Sequence, residues 1–119
     1  VIVGGIPSVS AGIEADLREL LGADAVVRLT GADRFGTSVA VAEFFFPSAS
    51  QVYLATGMNF PDALAGAPLA AQLGSPLYLS RQWCLSGDVA EDMLAIGADN
   101  IVLLGGVPSL ADAVVYIAC

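Results

Sequence analysis

The chain contains no histidine and no lysine. Histidine is the usual general base near neutral pH and the commonest metal ligand. Its absence excludes Ser-His-Asp and Cys-His nucleophilic catalysis within this chain. Without lysine, the only cationic side chains are four arginines, set against twelve acids for a net charge of −8. A duplex-binding protein needs a basic stripe to neutralise phosphates, and four scattered arginines do not form one, so nucleic acid is not an expected partner. No apolar run approaches the ~18 residues of a membrane span. Stretches such as residues 63–71 are short and carry Gly and Pro. Neither Gly-x-Gly-x-x-Gly nor the Walker pattern is present, so no nucleotide cofactor is expected. Cysteine occurs twice, Cys84 and Cys119, outside any Cys-x-x-Cys pair, which leaves no zinc-site or other metal pattern. Two readings of the cysteines stand at this point: buried free thiols, or a disulfide and hence an oxidising compartment.

What is present is a core and a repeat. Hydrophobic residues make up 56% of 119 positions and charged ones 13%, which is material for one domain. Val1-Ile2-Val3-Gly4-Gly5-Ile6-Pro7-Ser8-Val9 returns as Val102-Leu103-Leu104-Gly105-Gly106-Val107-Pro108-Ser109-Leu110, and Gly4 to Gly105 is an offset of 101 residues. That is too long for a solenoid repeat of about 20–50 residues, so a domain-sized unit recurs. The repeat predicts a single unit over residues 1–119, drawn from a tandem array, in which residues 1–22 are equivalent to the end of a preceding unit.

Between the two copies, strand-like and helix-like segments alternate. Strands are expected at Val1–Val3, Ala25–Leu29, Gln51–Ala55, Pro76–Leu79 and Asn100–Leu104. Ser8 or Ser10 caps a first helix that Gly22 stops, and Asp33 opens a second that Pro47 ends. A third starts at Pro61 and runs to about Leu73, with Pro68 expected to kink or split it. Ser86–Ile96 and Ser109–Ile117 are the fourth and fifth. This alternation predicts an α/β fold of three layers, with a mainly parallel sheet of about five strands flanked by helices, of the Rossmann, flavodoxin or toprim-like kind. Strands apolar on both alternations, such as Ile101-Val102-Leu103-Leu104, suit a sheet buried on both faces.

Ligands of parallel sheets bind beyond the carboxyl ends of the strands. The loops Gly4–Ser8, Thr30–Arg34, Thr56–Asp62 and Gly105–Ser109 leave strands there and present backbone N–H groups at helix starts, which suits anions. Asp33 either caps its helix while Arg34 pairs with a carboxylate such as Asp62, or Arg34 grips a phosphate or carboxylate with two prongs. Asn59 and Asp62, flanking Pro61, serve capping and turn chemistry or contact the ligand. Asp33 with Asp62 as an acid pair for glycoside cleavage would need a defined separation across a cleft. Phe44-Phe45-Phe46 cannot all face one side of a helix, so at least one is expected to meet a neighbouring unit.

Arg28-Leu29-Thr30-Gly31-Ala32-Asp33-Arg34-Phe35, with Thr37 and Ala40-Val41-Ala42, resembles the opening motif of the cell wall binding repeat 2 family. Leu54-Ala55-Thr56-Gly57, Asn59-Phe60-Pro61-Asp62-Ala63-Leu64-Ala65, Ala67–Ala71, Gly74–Leu79 and Leu103-Leu104-Gly105-Gly106 follow in the family's order, over nearly the whole chain. The resemblance implies a non-catalytic module of secreted Gram-positive surface proteins. Such modules come in threes, associate as a pseudo-trimer and hold the protein to the wall through anionic secondary polymers. It implies a polymer-binding strand at Pro76-Leu77-Tyr78-Leu79, with Tyr78 departing from the usual aliphatic residue. With Arg34, Asp33, Thr56, Asn59, Asp62 and Arg81, these four form the expected ligand-binding set. A cysteine pair like that of actinobacterial-type members implies a Cys84–Cys119 disulfide.

A net charge of −8 opposes long-range attraction of a polyanion. Three devices would meet this: convergence of Arg28, Arg34 and Arg81, helix N-termini, or a divalent cation bridging carboxylates to polymer phosphates. The alternatives to a wall anchor are a structural repeat that self-associates and spaces a surface domain, and a small α/β hydrolase, against which the missing histidine and lysine argue.

Overall fold

The computed structural model describes all 119 residues. Five strands form: β1 (Ile2–Val3), β2 (Arg28–Leu29), β3 (Gln51–Thr56), β4 (Leu77–Ser80) and β5 (Asn100–Leu104). Four helices stand between them: α1 (Ala11–Leu21), α2 (Arg34–Phe45), α3 (Pro61–Gln72) and α4 (Gly87–Ala95). Every strand pairing is parallel. The five strands do not make one sheet, however. They divide into a pair, β1-β2, and a three-stranded sheet in the order β4-β3-β5. In the larger sheet Tyr53 lies opposite Leu77 on one side and Val102 on the other.

β3 is the axis of the core. Val52 to Thr56 are all buried. Val52 and Leu54 point to one face, where with Tyr78 they meet Phe35 and Ala42 of α2, Val89 and Met93 of α4, and Leu110 and Val114. Tyr53 and Ala55 alternate to the other face, which α3 covers. α3 comes in close because its inner face is small: Gly66 and Ala70 are buried, and a Cβ at Gly66 would collide with the Leu104 side chain.

Local chemistry accounts for the helix boundaries. The Ser10 hydroxyl accepts from Ile13 N–H at 3.3 Å, and Gly22, at φ 96°, ends α1. Pro68 does not split α3, which continues to Gln72. Pro68 is exposed, so the carbonyl it leaves without a donor one turn back meets water.

The fifth helix does not form, and residues 114–116 make only a single tight turn. Ala111 stands where the first copy has the capping Ser10. Cys84 and Cys119 form a disulfide. Beside it Leu85 N–H donates to Ile117 at 2.8 Å and Cys119 N–H to Leu85 at 2.8 Å, holding the segment extended. The expected strand over 25–29 also shortens to two residues, because 23–25 coil into a helical turn.

Tyr78 is buried and its hydroxyl donates to Asp92 Oδ2 at 2.6 Å. Burial, then the hydrogen bond and charge of Asp92, push the phenol far above its ordinary value of 10.0. The neutral phenol is therefore the form that the fold stabilises. That contribution is complete below pH 10 and is lost above it, by about 1.4 kcal/mol per pH unit for one proton. Tyr78→Phe is expected to cost about 1–3 kcal/mol at neutral pH by leaving the Asp92 carboxylate short of a donor, and to flatten the alkaline decline in urea titrations. Thiol titration of unreduced protein should find no free thiol. Reduction should lower unfolding free energy by about 4 kcal/mol in the chain-entropy model.

Candidate functional site

The loop Thr30–Asp33 closes on itself before α2 begins. Asp33 Oδ1 accepts from Phe35 N–H at 2.9 Å and Gly36 N–H at 3.0 Å. Thr37 Oγ1 donates to the Asp33 carbonyl at 2.8 Å and accepts from Gly31 N–H at 3.0 Å. The backbones at Gly31 and Gly36 approach so closely that a Cβ on Gly31 would overlap Gly36. Asp33 is thus a cap for α2.

The four arginines fall into two kinds. Arg18 and Arg28 both bind Glu14, at 2.8 Å and 2.7 Å, and the hydrogen bonds from Arg28 and then Arg18 hold that carboxyl below its ordinary 4.5. Arg28 also donates to the Gly4 carbonyl at 2.6 Å, fastening β2 to the glycine loop after β1. Arg34 and Arg81 have no carboxylate within ion-pair distance. The expected Arg34–Asp62 pair does not exist; Arg34 Nη1 donates instead to the Gly57 carbonyl at 2.5 Å. The Arg81 guanidinium lies over the Phe35 ring, 5.0 Å from its centroid, within the range of a cation–π contact. Phe35 and the Arg34 stem both press on Gly57, where a Cβ would overlap the ring. The two unneutralised cations therefore flank one aromatic ring beyond the carboxyl ends of β3 and β4, both exposed.

Beside them runs a groove of about 550 Å³ between the two sheets. Gly4, Gly5 and Ser8 line one wall, Thr30–Arg34 the floor, and Leu77 and Leu79 the far side. Leu77 and Leu79 are half-buried, whereas Pro76 and Tyr78 are buried. Only alternate members of the expected polymer-binding strand therefore reach the groove. Thr56 is buried and its hydroxyl accepts from Met58 N–H at 3.2 Å. Asp62 sits apart in the first turn of α3, its carboxylate against Gly105, and Asn59 is exposed on the loop before it. Arg28, held by Glu14, does not join Arg34 and Arg81. Nor does any group of three acids assemble that could hold a metal ion, so a bridging cation has no preformed site. Trp83, 60% exposed two residues after Arg81, was not among the expected contacts. Its only sequence signal is being the sole tryptophan, beside an arginine, in a loop.

An all-parallel α/β domain thus carries, beyond its strand ends, a groove of glycines, hydroxyls and the unpaired Arg34, with Arg81 on the Phe35 ring near by. The chain belongs to the cell wall binding domain 2 (CWB2) family, whose model matches residues 28–115. It is similar to the N-acetylmuramoyl-L-alanine amidase LytC of Bacillus subtilis, 29% identical over 88 residues, or 74% of this chain and 18% of the amidase. It is also similar to the amidase enhancer of the same organism, 34% identical over 98 residues, 82% of this chain and 13% of that protein. Among solved structures, Cwp8 from Clostridium difficile superposes with a TM-score of 0.80 at 29% identity, covering 95% of this chain and 18% of Cwp8. Cwp6 from the same organism shares the fold at a TM-score of 0.68 and 21% identity, over 74% of this chain and 14% of its own. The chain thus spans less than a fifth of each of these proteins.

The glycine approach that forms the groove floor gives a direct test. Gly31→Ala is expected to destabilise by about 1–3 kcal/mol, because the obstacle is backbone. Gly87→Ala, where nothing lies within 4 Å of the added carbon, should leave Tm unchanged or raised in the same calorimetric comparison.

Proposed function

We propose that this domain is a non-catalytic anchoring module that holds a secreted surface protein to the wall of a Gram-positive cell by binding an anionic secondary wall polymer. The observation that carries this reading is the division of the arginines. In a chain of net charge −8, two of the four cations are spent on Glu14, while Arg34 and Arg81 are left without acids, side by side at the strand ends. A guanidinium without an internal carboxylate, and with N–H groups free, suits phosphate or carboxylate groups. The adjoining groove runs past Arg34 and the exposed Thr30. Leu77 and Leu79 offer it an apolar wall. The family match and the kinship with wall-lytic and cell-surface proteins support the wall as the target, and the disulfide supports an oxidising, extracellular setting. Further units of the same fold are the expected neighbours, in a three-unit arrangement. Phe44 and Phe45, stacked edge to face and each about half exposed, supply a surface for them.

The test is partition of the purified protein onto cell walls before and after acid extraction of anionic polymers. Binding is expected to untreated walls, to weaken with salt and to vanish on stripped walls. Arg34→Ala with Arg81→Ala should weaken binding roughly 10–100-fold, the scale of one or two lost charge-assisted hydrogen bonds, with circular dichroism unchanged. Salt-insensitive binding to stripped walls would overturn the polymer reading. No binding to either preparation would favour the repeat acting as a structural spacer.

A further inference from the structure

The two copies of the repeat adopt the same backbone in different surroundings. Gly4 and Gly105 both have positive φ, 108° and 103°. Ser8 and Val9 donate to the Gly5 carbonyl at 2.9 and 3.0 Å, as Ser109 and Leu110 donate to that of Gly106 at 2.8 and 3.0 Å. Yet β1 pairs with β2, whereas its equivalent β5 pairs with β3. Each copy therefore has one neighbour that the other lacks.

The hydrogen-bond parity shows that these two neighbours occupy opposite edges. Asn100 N–H donates to Ser50, so by the two-residue period of a strand residues 100, 102 and 104 address β3, and 101, 103 and 105 address the other side. Nothing in the chain pairs with that side, since β5 ends the sheet order. In the first copy, Ile2 and Gly4, the counterparts of Leu103 and Gly105, donate to Val27 at 2.7 Å and Leu29 at 2.8 Å. The side of β5 left open is thus the side on which β1 carries β2. An open edge of four apolar residues, with Ile101 36% exposed, is a liability that proteins normally cover.

We propose that the outer edge of β5 takes the β2 strand of a second copy of this chain, parallel, with Leu103 opposite Arg28 and Leu104 opposite Leu29. The contact deepens the association in the proposed function but stands on the repeat, not on wall binding. Leu103 N–H would donate to the partner's Val27 carbonyl, Gly105 N–H to that of Leu29, and the partner's Arg28 would reach the Gly105 carbonyl as Arg28 reaches Gly4 within the chain. The partner's own β1 must give way. It is held by two residues of strand, by the buried Ile2 side chain and by Arg28 on Glu14 and on the Gly4 carbonyl, while α1 buries no residue that would resist leaving. Val115 occupies the place of Glu14 in the second copy, so the ionic clasp favours the closed chain and exchange depends on concentration.

Sedimentation equilibrium and amide hydrogen exchange over a concentration series test this. The expected result is self-association in which Leu103 and Gly105 amides gain protection while Ile2 and Gly4 lose it. Glu14→Gln, which loosens the clasp, should strengthen association. Leu103→Pro removes an N–H that has no partner within the chain and should weaken association about tenfold or more, beyond the loss of core packing by its side chain, which urea titration of the variant reads separately. A monomer at every concentration, with Leu103 and Gly105 exchanging freely, overturns both this contact and self-association. An oligomer in which Ile2 and Gly4 stay protected and Leu103 stays free overturns the strand contact alone; loss of that oligomer in Phe44→Ser with Phe45→Ser would assign it to the aromatic face. Because exchange is read on the unmodified chain, misfolding of a variant does not obscure the outcome.

Discussion

Parallel pairing is the constraint from which the rest of this molecule follows. Strands that run the same way must send every exit to one edge and every return through a crossover. The exits here are the glycine- and hydroxyl-rich loops after β1, β2, β3 and β5 and the Arg81–Ser86 segment after β4, and helices α1 to α4 follow the first four strands. Groups scattered over fifty residues of sequence, from Thr30 to Arg81, thereby become neighbours without any long-range design beyond strand direction. Closely approaching glycines then set how narrow that edge is. Gly31 against Gly36, and Gly57 beneath Phe35 and Arg34, leave room for backbone and ring where no larger residue would fit.

Much of the fold was legible because its signals are local. Ser10, Gly22, Asp33 and Pro61 each act within a turn or two of where they stand, and the helices start and stop as they direct. Pro47 likewise lies just beyond the end of α2. Expectations failed where tertiary partners decide. The fifth helix loses to a disulfide and two backbone bonds that join residues more than thirty apart. One sheet becomes two because β1 and β2 have only each other as partners inside this chain. Pro68 leaves α3 unbroken and faces water, a fact that its sequence context does not carry.

The candidate site was legible in its types of residue and less so in their partners. Asp33 was weighed as a cap and is one. Arg34 was weighed against Asp62, but pairing depends on which loop ends share a wall, and α3 places Asp62 by β5 instead. In the 76–79 stretch, alternation decided the matter: strand period two turns Tyr78 into the core toward Asp92 and leaves Leu77 and Leu79 at the groove. The choice of which arginines stay uncompensated could not be read from composition. It arises because Glu14, on α1, stands within reach of both Arg18 on its own helix and Arg28 on β2.

The Cys84–Cys119 bond also determines how the domain carries load. Tension entering at Cys119 does not travel back through the turn at 114–116 and strand β5. It crosses the sulfur bridge to Cys84, four residues beyond the end of β4, and passes into that edge strand, which pairs with β3 in the larger sheet. Residues 85–118, including α4 and the apolar edge of β5, form a closed loop outside that path. They can stay folded, with the β5 edge in place, while the backbone on either side is under strain, so the domain behaves as a tie whose side loop is mechanically shielded.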